Sequence, residues 1–240
     1  MKAVILAAGL GTRLRPYTHV LPKPLLPLGD RPILEILIAQ LVHYGYDDII
    51  VTTSYLSHVM ETYFPMIERK YASAKFTLVK QEKLMGTAGG LSSLPGLGDE
   101  PFLVMNADVL TTMDYGALMQ HHLQHDGVLT IGTYRKQVKI HLGVLDLDDT
   151  GNVIGYREKP EEHFMISMGV YIYSPEVLTY VPPDDYLDLP DLTAQLLADG
   201  QIVTTFHFDG YWLDIGRMED FETAQHIFDE NRRQFLPGEA

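Results

Sequence analysis

The chain has no cysteine among its 240 residues. A disulfide framework, a thiolate metal site and a cysteine nucleophile are therefore excluded, and nothing argues for export. Basic residues are scarce: 18 Lys and Arg stand against 32 Asp and Glu, a formal charge of −14 at neutral pH. Nucleic acid or an anionic membrane would require a basic face, so neither is an expected partner. Long apolar runs are missing as well. The N-terminal "MKAVILAAG" is interrupted at Gly9 and Gly11, too soon for a membrane span, and reads as a buried strand, not a signal peptide. No serine stands in a G-x-S-x-G elbow. What is present in quantity is apolar side chain, 46% of the residues, enough for the core of one sizeable domain. The default reading is a soluble cytoplasmic protein.

Short apolar runs alternate with helical patterns through the first half. "AVILA" precedes a helix near Ile33 to Tyr44, "DIIVTT" precedes one near Ser57 to Phe64, and "KFTLVK" precedes the helical pattern "TAGGLSSL". "PFLVMNAD" precedes a helix near Tyr115 to His125, and "VLTIGTY" follows as a strand. This alternation predicts an α/β fold with a Rossmann-like, doubly wound, mostly parallel sheet. Ligands bind beyond the carboxyl ends of the strands in such sheets, where Gly9 to Arg13, Gln81 to Gly86 and Asp108 should gather. After Gly127 the texture turns β-rich, with a hairpin turning at Asp148 to Asn152 and further strands at "SMGVYIY" and "QIVTTFHF". A last helix runs from about Met218 to Asn231, and the tail "RRQFLPGEA" is expected to fray. No Ser/Gly/Pro-rich linker intervenes. The expectation is one domain over residues 1–240, a first half to about 126 and a smaller α+β layer from about 127, with a ligand cleft between.

Against the acidic background, the stretch "LAAGLGTRLRPYTHVLPKPLLPL" places Arg13, Arg15 and Lys23 ahead of the first acidic residue, Asp30. A strand ending in "AAGLGTR" suggests a loop whose backbone amides approach phosphates. It is neither a dinucleotide fingerprint, since Leu14 stands where the third glycine belongs, nor a P-loop, since Gly-Lys-Ser/Thr is absent. A tight strand-to-helix turn would also use these glycines, and solvated surface cations would also explain the charges. Neither accounts for their coincidence with Pro16, Pro22, Pro24 and Pro27, which stiffen a shaped loop. Arg13 can fork onto two phosphate oxygens, and Lys23 can bring a mobile point charge to the same group.

Two aspartates a hundred residues apart, Asp108 in "NADVL" and Asp214 in "WLDIG", suit the few carboxylates that a phosphate-bound Mg²⁺ takes. A helix cap or an ordinary turn is the alternative for each. "REKP" holds Glu158 and Lys159, a pairing that by itself is commonly solvated surface. His121 and His125 stand one helical turn apart, but with no third ligand in view they do not make a zinc site.

"GLGTR" followed by "PKPLLPL" resembles the sugar-phosphate nucleotidylyltransferases, also called NDP-sugar pyrophosphorylases. The likeness continues in that family's order through "LMGTAGGL", "NADVL", "REKP", "MGVYIYSPE", "LDLPDL" and "WLDIG", and looks nearest to the mannose- and heptose-1-phosphate guanylyltransferase branch. The resemblance implies the nucleotide-diphospho-sugar transferase fold, with a nucleotide-binding half to about residue 126 and a smaller α+β sugar-binding layer from about 127, and joining of an NTP, GTP first, to a sugar 1-phosphate with release of pyrophosphate. Uridylyl or thymidylyl transfer, or a catalytically silent nucleotide-sensing subunit, are the alternatives. It further implies nucleotide contacts from Leu6, Ala7, Ala8, Gly9, Gly11, Thr12 and Arg13 through Lys23 to Gln81, Gly86 and Thr87. Sugar-phosphate contacts are implied at Gly143, Glu158, Lys159 and Gly169, and Mg²⁺ on Asp108 and Asp214. Arg13, Lys23, Asp108 and Lys159 are the implied catalytic set, and relatives of this kind commonly form homo-oligomers. The span from first strand to last helix reads as a minimal, one-activity enzyme. The chain departs from the family pattern at Ala107, at His141–Leu142 before Gly143, and at Ser167–Met168 before Gly169.

Overall fold

Four apolar runs of the first half become the parallel strands of one sheet. They are β1 (Lys2–Leu6), then β4 (Asp48–Thr53), β5 (Lys75–Lys80) and β6 (Phe102–Asn106), after a short hairpin of β2 (Pro27–Leu28) and β3 (Arg31–Pro32). The computed structural model describes residues 1–183 and 185–238. Helices α1 (Ile33–His43) and α2 (Ser57–Lys70) make the crossovers that parallel pairing requires. α1 buries almost every residue, including Leu34, Ile36, Leu37, Ile38 and Leu41, because it packs beneath the sheet. "TAGGLSSL" does not form the expected helix. Its Ala88 and Gly89 N–H groups are committed to the Leu187 carbonyl at 2.9 Å, so only a 3-10 turn at Leu91–Ser93 remains.

The second half shares this sheet. After β7 (Val109–Thr111) and α3 (Tyr115–Leu123), strands β8 (Leu129–Lys139) and β11 (Glu161–Tyr173) run well beyond their predicted cores, and β9 (Gly143–Leu147) pairs with β10 (Val153–Glu158) as a projecting hairpin. The expected turn at Asp148 to Asn152 is where that hairpin reverses, with Asp148 accepting from the Asn152 and Thr150 backbone amides. After α4 (Leu189–Ala198) come β12 (Val203–Phe208), β13 (Trp212–Asp214) and α5 (Met218–Phe235). The seven-stranded order is β12-β8-β11-β6-β1-β4-β5, in which only β11 runs against its neighbours. The chain leaves β1 towards β4 on one side and reaches β6 on the other, so the two adjacent strands β1 and β6 open a crevice at their carboxyl ends.

The C-terminal tail corrects the expectation of fraying. α5 kinks at Asn231 and continues, Phe235 and Leu236 are buried, and Phe235 packs on Phe228 with ring centroids 6.0 Å apart. Arg232 holds Asp30 through two nitrogens at 2.6 and 3.0 Å, and the Phe235 carbonyl accepts from Gln40 of α1 at 2.9 Å. Residues 239 and 240 of that tail lie outside the described residues. Among the described residues, no helix is long and apolar enough to cross a membrane.

Phe235→Ala is expected to cost about 3–5 kcal/mol in chemical denaturation, as for a large aromatic deleted from a closed core. A loss below about 1 kcal/mol would show that the tail contributes no packing.

Candidate active site

The loop after β1 is built to keep its backbone open. Ala7 donates its N–H to Thr52 Oγ1 of β4 at 3.2 Å, and Gly11 takes φ 61° with its carbonyl accepting from Thr18 Oγ1 at 2.8 Å. A side chain at Gly11 would press on Thr18 at 3.0 Å and on the Lys23 Cβ at 3.2 Å, in a left-handed backbone that glycine alone adopts freely. Leu14, standing where a dinucleotide loop needs glycine, is buried as the anchor of the 3-10 turn Thr12–Leu14. Arg13 and Thr12 in that turn remain exposed. The guanidinium of Arg13 lies within 3.5 Å of the space beside Gly216, on the chain that carries Asp214. Two more 3-10 turns follow, Tyr17–His19 and Lys23–Leu25, with Pro24, Leu25 and Leu26 buried beneath. Pro22 and Pro24 thus seat this loop on the core, and Lys23 leaves it to reach Asp108 Oδ2 at 2.5 Å.

Backbone pairing brings the two distant aspartates together. β7 and β13 form an antiparallel ribbon in which Asp214 faces Val109, and the Ile215 N–H donates to the Asp108 carbonyl at 2.9 Å. The Trp212 indole N–H is given to the Met168 carbonyl at 2.9 Å, joining the ribbon to β11 beside Gly169. Asp214 still reaches solvent, but partial desolvation pushes its carboxyl above its ordinary range and the Asp108 charge pushes it further, against the opposing pull of Lys23 and Arg13. All four charged groups therefore share one field. The second carboxylate oxygen of Asp108, Oδ1, is buried with no hydrogen-bond partner. A buried anionic oxygen is costly without a cation or donor, so this donor set fits a divalent ion that takes one or two carboxylates and fills its remaining positions with phosphate oxygens. Among the described residues no group of three His, Cys, Asp or Glu side chains could hold a metal, and His121 and His125 simply stack on each other at 4.0 Å.

The crevice between β1 and β6 widens into a cleft of about 330 Å³, lined on its sheet side by Leu6, Gly9, Thr52, Asn106 and Asp108, and on its outer side by Gln81, Gly86 and Thr87. Ala8, Leu84, Met85 and Tyr186 complete the wall. A recess of about 50 Å³ continues from it between Ala7, Lys23, Ala107 and Asp108. Gly86 takes φ 76°, and a side chain there would run into the Leu187 carbonyl and the Asp188 carboxylate.

Of the residues marked for the nucleotide, Leu6, Ala8, Gly9, Gln81, Gly86 and Thr87 line this cleft with Asp108, and Ala7 and Lys23 line the recess, whereas Gly11, Thr12, Arg13 and Asp214 lie outside both linings. Gly169, at the register break in β11, lies against the Asn106 side chain at the cleft floor. Gly143, Glu158 and Lys159 stand apart from the cleft walls, on the exposed hairpin, where Gly143 and Glu158 are register partners. The Tyr156 hydroxyl lies over Gly143 and donates to Glu158 Oε2 at 2.8 Å, and the Lys159 ammonium is 3.7 Å from Glu158 Oε1. Thr52, Asn106, Tyr186 and Asp188 are site residues that the sequence reading did not single out. Asn106 precedes Asp108 by two positions, the one signal that could have marked it; Thr52 reads as an ordinary strand residue.

Residues 2–231 match the family model described as nucleotidyl transferase. The chain is 34% identical to a UTP–glucose-1-phosphate uridylyltransferase of Synechocystis sp. over 93% of its length, and 31% identical to the mannose-1-phosphate guanylyltransferase catalytic subunit beta of Danio rerio over 99%. It spans 62% and 67% of those relatives' own lengths. A crystal structure of a putative glucose-1-phosphate thymidylyltransferase from Bacillus anthracis superposes with a TM-score of 0.75 at 23% identity, covering 98% of both chains. HddC from Yersinia pseudotuberculosis, also solved in complex with GMP-PN, gives 0.67 at 26% identity over 95% of this chain and 99% of that one.

A carboxyl whose folded pKa is raised takes a proton more readily folded than unfolded, so its fold is favoured at low pH and penalised as pH rises through the raised value. Asp214→Asn is therefore expected to raise the melting temperature by a few degrees near neutral pH in EDTA. The gain should fade towards about pH 4, the ordinary carboxylate value. A gain that persisted unchanged into acid would assign the effect to something other than this charge.

Proposed function

The chain belongs to the nucleotidyl transferase family, and from that premise we propose that it joins an NTP to a sugar 1-phosphate, releasing pyrophosphate and an NDP-sugar. The observation that carries this reading is the convergence of Arg13, Lys23 and Asp214 on Asp108, which lines a cleft whose far wall holds the apolar Leu84, Met85 and Tyr186. In the proposed reaction a phosphate oxygen of the sugar phosphate attacks the α-phosphorus of the NTP. The bond from that phosphorus to the oxygen bridging towards the β-phosphate breaks, and pyrophosphate departs with the electron pair. No enzyme nucleophile is required, so the protein's work is positioning and charge stabilisation.

Arg13, exposed and facing Gly216, binds the departing β- and γ-phosphates as a fork. Lys23, seated on the proline-braced loop, supplies a point charge to oxygens near the α-phosphorus. Amides of Ala8 to Gly11 face the polyphosphate. Lys159 and Glu158 on the hairpin hold the sugar phosphate and a sugar hydroxyl, with the backbone of Gly143 and Gly169 running along the sugar. Mg²⁺, held by Asp108 and Asp214, would supply further neutralisation of phosphate charge. GTP is the foremost NTP, supported by the guanylyltransferase relatives. A uridylyl reading is supported by the Synechocystis protein. Lack of cysteine and net acidity support a cytoplasmic setting.

The test is a grid of the four common NTPs against sugar 1-phosphates, with products identified by mass and pyrophosphate followed in time. Turnover should be greatest with GTP, should stop in EDTA, and should fall by about a hundredfold to a thousandfold in Arg13→Ala and Lys23→Ala. Nucleotide binding without pyrophosphate release from any pair would identify a silent sensor instead.

A further inference from the structure

Tyr186 has no part in the chemistry above, yet it lines the cleft, and Asp188 holds its hydroxyl. Asp188 Oδ1 accepts from the Thr87 N–H at 2.9 Å and from the Thr87 hydroxyl at 3.2 Å, and Oδ2 accepts from the Tyr186 hydroxyl at 2.5 Å. The Thr87 hydroxyl oxygen accepts in turn from the Leu189 N–H at 2.8 Å. Around this centre the Leu187 carbonyl receives the Ala88 and Gly89 amides, and the Leu187 N–H is given to the Met85 carbonyl at 3.0 Å. Two segments a hundred residues apart are thus locked through one carboxylate, which the Tyr186 and Thr87 hydrogen bonds hold below the ordinary aspartate range.

The lock has a direction. Tyr186 is 64% exposed, an unusual state for a large ring whose hydroxyl is already pinned, and it lines the cleft beside Leu84, Met85 and Gly86. A tyrosine held by its hydroxyl offers its apolar body at little further cost in rotamer entropy. The ligand group that meets it must be flat and uncharged, because phosphates are drawn to Arg13 and Lys23 and would be repelled by Asp188. We propose that Tyr186 is the aromatic contact for the nucleobase, and that Asp188 is a positioning residue that fixes both this ring and the Gly86–Thr87 backbone against the base. The proposal rests on the nucleotidyl-transfer reading and names a further determinant of its base selectivity.

Removing a base–aromatic stack weakens binding by about fivefold to more than a hundredfold elsewhere, so Tyr186→Ala should raise the NTP KM by about tenfold or more. Its kcat should stay within about twofold of wild type, and the KM for sugar 1-phosphate should not move. Tyr186→Phe keeps the ring and loses only the tether, so its effect should be the smaller. Asp188→Asn should narrow the ratio of kcat/KM between the best and worst of the four NTPs. Inorganic tripolyphosphate, which has no base, should inhibit wild type and Tyr186→Ala with equal potency. An unchanged NTP KM in Tyr186→Ala would overturn the base contact, as would a loss of tripolyphosphate inhibition in step with it. Unchanged base discrimination in Asp188→Asn would overturn its positioning role. Wild type that neither binds nor turns over any NTP would overturn the nucleotidyl-transfer reading itself, and this proposal with it.

Discussion

Two carboxylates forced together by backbone pairing set the terms for everything around them. The β7–β13 ribbon leaves Asp108 and Asp214 no means of separating, because the register that pairs Asp214 with Val109 also delivers the Ile215 amide to the Asp108 carbonyl. Their repulsion, together with the partial desolvation of the Asp214 carboxyl, would be a plain liability in a structural ribbon. It is answered by cations that arrive from elsewhere in the chain. Lys23 comes from a loop with three 3-10 turns and a buried apolar underside, and Arg13 from the turn that Leu14 anchors. The loop's prolines reduce the entropy lost in holding Lys23 out towards the aspartate, which is the energetic meaning of the sequence between Leu6 and Leu28. The unpartnered Asp108 Oδ1 shows that the balance is incomplete in the protein alone, as expected where a substrate and its cation finish it.

The sheet explains why this arrangement can be stable. β1 and β6 are buried from both faces, so the loops beyond their carboxyl ends begin from fixed backbone. The ribbon is also tied down from below: Gln40 of α1 donates to the Thr111 carbonyl at 2.7 Å and to the Phe235 carbonyl at 2.9 Å, and accepts from the Tyr115 hydroxyl at 3.1 Å. One buried amide therefore joins α1, β7, α5 and α3. Charge can be concentrated on a ribbon of three-residue strands only because such ties prevent it from opening.

Most of the parallel half was legible in the sequence because burial on both faces produces continuous apolar runs, and the phosphate loop was legible because glycine, proline and cation types coincide locally. The misreadings have a common physical source in contacts between distant segments. "TAGGLSSL" has helical pattern, but its amides go to Leu187 a hundred residues on. "RRQF" looks like a fraying end, but Phe235 finds Phe228 one face along α5 and Arg232 finds Asp30 near the other end of the chain. Asp188 reads as a helix-leading aspartate, and its bonds to Thr87 depend on a tertiary approach that no spacing encodes. Glu158, Lys159 and Gly143 were marked only by family likeness, and the structure shows them on a solvent-facing hairpin where their pairing with one another is plain.

Charge distribution makes the final link between composition and mechanism. A chain of formal charge −14 repels a nucleoside triphosphate at long range, yet salt confines that repulsion to about 8 Å under physiological conditions. Beside the aspartate pair the sign is locally offset by Arg13 and Lys23, which come from a stretch with no acidic side chain before Asp30. The opposite end of the cleft offers Leu84, Met85 and the tethered face of Tyr186, where a charged group gains nothing and a heterocycle loses little on desolvation. Under the proposed function, the cleft's own polarity would orient a nucleotide before any specific hydrogen bond forms, with phosphates towards Arg13 and Lys23 and base towards Tyr186. A substrate bound the other way round would set its phosphates against the Asp188 carboxylate and strand its base among charges.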